Sequence, residues 1–288
     1  MQLDGRRQST NVDDRRGRST ARTAGGIGLG GLLIIGAISL LLGVNPFAAM
    51  QTAGEVLGNG TEYVSDRQAT PEEEELAVFA SRILAGTEDV WTRIFAENGL
   101  TYEAPRLVLY NDYVQTGSGT ASASTGPFYN SADQTVYIDL SFFTSMKKQI
   151  GADGDFAYAY VIAHEVGHHV QYLLGTLQKA HSRMNRMSEK ESNRMSVRLE
   201  LQADFYAGVW ACNDDRMFHS LEDGDIEEGL AVASRIGDDY LQKKAYGYSV
   251  PDSFNHGTSA QRSRWLKKGL SSGDPALGDT FSIPYEQL

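Results

Sequence analysis

Residues 161–170 read Val-Ile-Ala-His-Glu-Val-Gly-His-His-Val and enclose the pattern His-Glu-x-x-His, formed by His164, Glu165 and His168. The pattern constrains the fold because it has a chemical meaning only on a helix. There, residues four apart lie on one face with Cβ atoms roughly 5–6 Å apart, so the two imidazoles can share one metal ion. Glu165 projects about 100° further around the axis, within reach of a water on that metal but not placed as a ligand. Neutral imidazoles suit zinc, which in catalytic sites takes three protein ligands and keeps a fourth position for water. Only 6 of the 288 residues are histidine, so a chance match has a probability on the order of a percent. The motif also continues an apolar helical run (Phe156, Tyr160, Val161, Ile162, Ala163), and Gly167 within it predicts close approach by another backbone.

A third ligand must come from elsewhere. A metzincin would continue with Gly at 171 and His at 174, but Gln171 and Leu174 stand there. Downstream, residues 199–208 read Leu-Glu-Leu-Gln-Ala-Asp-Phe-Tyr-Ala-Gly, on a helix started by the capping pair Ser188 and Glu191. Glu200 and Asp204 then share a face, with Ala203, Ala207 and Gly208 keeping that face slim. Glu200 is the expected zinc ligand, and Asp204 the acceptor for the free ring N–H of a ligating histidine. The competing reading is a solvated acidic pair, the commoner state for these residues. His181, His219 and His256 are reserve ligands. His169, adjacent to His168, faces elsewhere and is read as supporting or structural.

Together these strings resemble a family. Glu-x-x-x-Asp after His-Glu-x-x-His is the gluzincin pattern. The strings at 126–129 (Gly-Pro-Phe-Tyr), 136–142 (Val-Tyr-Ile-Asp-Leu-Ser-Phe), 151–157, 164–171, 196–204 and 251–259 are similar to those of the bacterial neutral zinc metallopeptidase family. The resemblance runs from the N-terminus to about Asp274. It implies His164, His168 and Glu200 as zinc ligands and Glu165 as the catalytic carboxylate. Family members carry cysteines where Ser118 and Asn130 stand here, so the resemblance implies that a loop-closing disulfide is missing.

The charge distribution divides the chain. The net charge is −11, yet residues 1–24 hold six arginines against three aspartates. The acidic remainder would repel nucleic-acid phosphates, which argues against such a partner. Residues 24–44 carry no charge and are strongly apolar at their centre, long enough to cross a hydrocarbon core of roughly 30 Å. A secretory h-region is shorter, and no clear Ala-x-Ala site follows. The expectation is a basic cytoplasmic tail (1–24), a single transmembrane signal anchor (25–44), a polar linker (45–69) and a catalytic domain (70–288) beyond the inner membrane, its orientation set by the arginines. Gly26 and Gly30 form a weak helix-pairing motif.

In the body, 41% hydrophobic composition for the whole chain supports one well-packed domain. The single Cys212 cannot pair within the chain and is expected to be buried. Thr70, Pro71 and Glu73 mark a helix start, with an apolar face from Leu76 to Phe95 that breaks near Gly86. Pro105–Tyr110 and Thr135–Leu140 read as strands, separated by the Gly/Ser/Thr-rich stretch 115–125, a flexible loop in preference to a lid. Asp225 and Glu228 begin a helix running toward Gly247. The expected class is α+β: a zincin-like domain of helices around a small sheet.

The chemistry expected is peptide hydrolysis. Zinc would acidify water and polarise the carbonyl, and Glu165 would relay the proton to the leaving amine. His256 is the candidate oxyanion donor, because His256 and Arg262 resemble a His…Arg element of membrane-associated gluzincins; a capping or core role for His256 competes equally. Val136–Leu140 is expected to be the edge strand that pairs with extended substrate. An inactive zinc-binding scaffold and a zinc amidase acting on cell-wall material are the other classes; keeping Glu165 argues against the scaffold.

Overall fold

A computed structural model describes residues 1–17, 69–151 and 154–288. The apolar span 25–44, its Gly26/Gly30 pair and all but the last residue of the linker 45–69 lie outside the described residues. Among the described residues, no helix is long and apolar enough to cross a membrane. The fold is mixed α+β, mostly helical with a small sheet.

The first body helix, α1 (Pro71–Glu97), starts on the capping box read from the sequence: the Thr70 hydroxyl accepts from the Glu73 N–H, and the Glu73 carboxylate accepts from the Thr70 N–H. It does not break at Gly86. A Cβ there would sit 2.8 Å from Asp214 Oδ1 and 3.0 Å from Arg6 Nη2, so the glycine makes room for an ion pair and leaves the helix intact.

The main sheet comprises β1 (Val12–Asp14), β2 (Arg106–Tyr110), β6 (Thr135–Asp139) and β5 (Phe128–Asn130), in the order β1-β2-β6-β5. The first three are mutually parallel, with Leu107 opposite Val136, and β5 runs antiparallel to β6, with Phe128 opposite Tyr137. Period-two alternation sends Leu107, Leu109, Val136, Ile138 and Tyr129 into the main helical core. Val108, Tyr110, Phe128 and Tyr137 take the other face, where Val114 completes a smaller cluster. Val114 belongs to a hairpin, β3 (Tyr113–Thr116) and β4 (Gly119–Ser122). The stretch read as a flexible loop is therefore mostly ordered strand that covers the outer face of the sheet. At its tip, Asn130 Nδ2 donates to Ser118 Oγ at 2.7 Å and to Thr116 Oγ1 at 2.9 Å. Hydrogen bonds thus join the two positions where the family resemblance implied a disulfide.

Four sequence assignments change here. Val136–Leu140 is not an edge strand, because β6 is flanked by β2 and β5; β5, only three residues long, holds the edge. The single helix expected from Asp225 to Gly247 is two, α6 (Asp225–Arg235) and α7 (Asp238–Tyr246). The chain turns at Gly237, where a side chain would overlap the Ser259 backbone. Cys212 is half-buried, not fully buried. Residues 1–17, assigned from the sequence to a tail ahead of the span, contribute β1 to the sheet.

The remaining helices are α2 (Ser141–Ile150), α3 (Asp155–Leu173), α4 (Thr176–Met184), α5 (Glu189–Phe218) and α8 (Ser259–Ser272). Helix α3 is central and buried nearly all round. Helix α5, capped by Ser188 and Glu191 as read, lies against it. Gly167 meets α5 directly: a Cβ would come 2.9 Å from the Ala203 carbonyl oxygen and 3.1 Å from its Cα. Gly208, expected to slim the face toward α3, serves α8 instead, where it and Gly269 fit against each other's backbones.

Gly167→Ala should therefore cost about 1–3 kcal/mol through overpacking against backbone that cannot yield locally. Thermal unfolding should show Tm lowered by roughly 3–10 °C, and an unchanged Tm would contradict the close contact of α3 with α5.

Candidate metal centre

Helix α3 delivers His164 and His168 from successive turns, with ring centroids 4.8 Å apart and planes at 89°. From α5, Glu200 Oε2 lies 3.2 Å from His164 Nε2 and Glu200 Oε1 lies 3.5 Å from His168 Nε2. One donor atom from each residue falls within 4.8 Å of the others, and all three side chains are buried. Two imidazoles and a carboxylate converging in this way fit zinc. The close approach at Gly167 is what brings Glu200 within reach of the histidines.

Both imidazoles are oriented from behind. His164 Nδ1 donates to Asp204 Oδ1 at 2.8 Å, which turns Nε2 toward Glu200. Asp204 is fully buried and also accepts from Tyr160 Oη at 2.5 Å, Arg262 Nε at 2.8 Å and Arg262 Nη2 at 2.9 Å. Arg262 thus supports the centre from behind, bonded to Asp204 and Tyr160. His168 Nδ1 donates to Gln171 Oε1 at 2.9 Å, and Gln171 is held by the Leu199 carbonyl and by Gln202. Sequence reasoning used Gln171 only to exclude one class. Its position three residues after His168, on the same helix face, was the available signal for this role. Tyr160, one turn before His164, carried the same kind of signal.

Electrostatics favour a cation here. Burial opposes a charge on His164, but the carboxylates of Asp204 and Glu200 outweigh it and raise its pKa to about 10. Burial lowers His168 to about 4. Burial also works against the charges on Glu200 and Asp204, yet the two histidines hold Glu200, and chiefly Arg262 holds Asp204, below the ordinary carboxylate range. Metal uptake would displace the proton from His164.

Glu165 is buried beside this group. Burial, reinforced by Glu200 and opposed by His164, pushes its carboxyl up to about 7. The Tyr129 backbone N–H of β5 donates to the carboxylate, whereas Oε2 is buried without a hydrogen-bond partner. A buried carboxylate oxygen with no donor of its own is suited to accept a proton from a neighbouring water.

His256 is buried. It sits on a loop gathered around Asp238, whose Oδ2 accepts the backbone N–H groups of Asn255, His256 and Gly257 at 2.9, 2.7 and 2.9 Å. Asp238 Oδ1 lies 3.3 Å from His256 Nδ1. Burial disfavours protonation of His256, but Asp238 raises its pKa on balance. Nothing in the local sequence marks Asp238, which lies eighteen residues before the histidine. The reserve histidines stand apart: His181 is in the last turn of α4 and His219 is the C-cap of α5. His169 bonds the Tyr129 hydroxyl at 2.9 Å and the Glu103 carbonyl at 2.6 Å, fastening β5 to the metal helix.

A second acidic group, Asp155, Asp225 and Glu228, also has metal-ligand spacing. The α-amino group of Met1 already faces Asp155, Glu222 and Asp225 there.

The comparisons with known proteins name the same metal. A family described as "Putative neutral zinc metallopeptidase" matches residues 1–281. The uncharacterized protein YpfJ of Escherichia coli (strain K12) is 47% identical over 288 residues, spanning 98% of this chain and 99% of that protein. The uncharacterized protein Rv2575 of Mycobacterium tuberculosis (strain H37Rv) is 41% identical over 191 residues, 63% of this chain and 64% of that protein. No solved structure matches the chain at significance. With the family match covering nearly every residue, the chain belongs to the neutral zinc metallopeptidase family.

Proposed function

We propose that the protein is a zinc-dependent peptidase that hydrolyses peptide bonds with Glu165 as general base. The observation that carries this reading is the free Oε2 of Glu165, buried next to three converging ligands. Zinc held by His164, His168 and Glu200 would supply Lewis acidity, lowering the pKa of water toward 7 and polarising a carbonyl. Glu165 takes the proton of the attacking water at Oε2 and returns it to the leaving amine. Asp238 accepts from His256 Nδ1 and favours the protonated imidazolium, whose Nε2–H donates to the oxyanion of the tetrahedral intermediate. The outer edge of β5 offers backbone groups to an extended peptide, which gives binding with little sequence selectivity.

A zinc-binding scaffold would have no use for a buried, half-unpartnered carboxylate, whose exposure to no donor is costly. A cell-wall amidase would use the same residues on a different amide. Digestion of a peptide mixture and of purified cell wall, each with and without chelator, separates the two. Chelator-sensitive cleavage of peptides is the expected result; cleavage confined to cell wall would replace the peptidase reading.

Glu165→Gln keeps the ligands and shape but removes the base, so peptide turnover should fall by about 10²–10⁴ with bound zinc unchanged. Turnover at the wild-type level would refute the assignment. His256→Ala should retain zinc and lower kcat by about 10²–10³ with little change in KM, because an oxyanion donor acts in the transition state. Asp238→Asn should move kcat the same way by less. Unchanged kinetics in His256→Ala would make the histidine a structural residue.

A further inference from the structure

The seventeen N-terminal residues make contacts that a separate tail could not make. β1 lies parallel to β2 with Val12 opposite Leu107 and Asp14 opposite Leu109. The Leu107 N–H donates to the Asn11 carbonyl at 2.9 Å and the Arg15 N–H to the Leu109 carbonyl at 2.8 Å. Further back, the Ser9 N–H reaches the Ser81 carbonyl in α1, and the Gln2 N–H reaches the Ser220 carbonyl just beyond α5. Leu3 is buried in the main core.

The arginines are equally committed. Arg6 forms a two-pronged pair with Asp214 at 2.8 and 3.2 Å, stacks 3.8 Å over the Phe218 ring, and occupies the space that Gly86 leaves open. Asp214 is only 1% exposed, so Arg6 supplies the counter-charge of a carboxylate that the docked segment helps to enclose. Arg7 bonds Asp89, Glu88 and the Ala85 carbonyl on α1. Glu88 also accepts from Asn11 at 2.8 Å. Arg16 reaches the Glu73 carbonyl at 2.8 Å and Glu74 at 3.2 Å. Three arginines that a sequence reader counts as an orientation signal are therefore neutralised by carboxylates of the body.

The two flanks of the apolar stretch also meet. The Gly17 N–H donates to Asn111 Oδ1 at 3.3 Å, and Arg16 sits on the first turn of α1, where the chain resumes.

From this we infer that residues 1–17 are a constituent part of the metallopeptidase domain and lie on the same side of the membrane as the metal centre. A single crossing between residues 17 and 69 would separate β1 from β2 by a hydrocarbon layer of roughly 30 Å, which the pairing forbids. This replaces the arrangement expected from the sequence, with tail and body on opposite sides. It does not rest on the peptidase reading.

Accessibility to a membrane-impermeant maleimide tests it on the full chain in bacterial spheroplasts. With Cys212→Ala as background, Gln8→Cys reports the N-terminal segment and Leu100→Cys the body, both at exposed positions. Each is labelled before and after detergent lysis. The two cysteines should be labelled together or shielded together before lysis, and labelling of one alone overturns the inference. Purified full-length Arg6→Glu, which sets like charges against each other at Asp214, should unfold at a Tm lower by roughly 5–10 °C. A wild-type Tm would show that the segment is not docked, and would equally overturn it.

Discussion

The buried carboxylate of Asp204 is the interaction on which the rest depends. It is a single anion, fully enclosed, that accepts from Tyr160 and His164 on α3 and from Arg262 on α8 while standing on α5. Three helices therefore have to meet at one point with hydrogen-bonding accuracy. Removing one partner of such a buried pair costs roughly 3–5 kcal/mol, since it strands the other charge. The same carboxylate fixes which ring nitrogen of His164 faces Glu200. Stability and metal binding are coupled through it.

Small residues make this convergence possible. Gly167 lets α3 approach the Ala203 backbone, and Gly208 and Gly269 let α5 approach α8. With a methyl group at 167, Glu200 would stand farther from the two Nε2 atoms it now nearly touches. The metal centre is therefore a consequence of helix spacing. The sheet then supplies what the helices lack: β5 gives Glu165 a backbone donor through Tyr129, and His169 anchors that strand from the helix side.

Much of this was legible because it is periodic and local. His164, Glu165 and His168 follow from spacing on one helix, as do Glu200 and Asp204 on another, and the caps at Thr70 and Ser188 can be read from two residues each. What escaped depends on contacts distant in sequence or on segments too short to show a period. β5 has three residues, so its edge position was assigned to the longer β6. Asp238 acts on a loop eighteen residues away and has no local pattern. Gly86 looked like a helix breaker because its neighbours, Arg6 and Asp214, are far along the chain. The N-terminal arginines misled for the same reason: composition counts charges but cannot show that a carboxylate elsewhere already pairs them.

The central claim is that His164, His168 and Glu200 together hold one zinc ion in the space that Asp204 organises. Metal content of the purified chain after gel filtration, wild type beside Glu200→Gln, addresses it most directly. The account predicts one zinc per wild-type chain and loss of most of it in Glu200→Gln, with the helical signal of both proteins alike. Full zinc retention in Glu200→Gln would contradict it and pass the third ligand to another side chain.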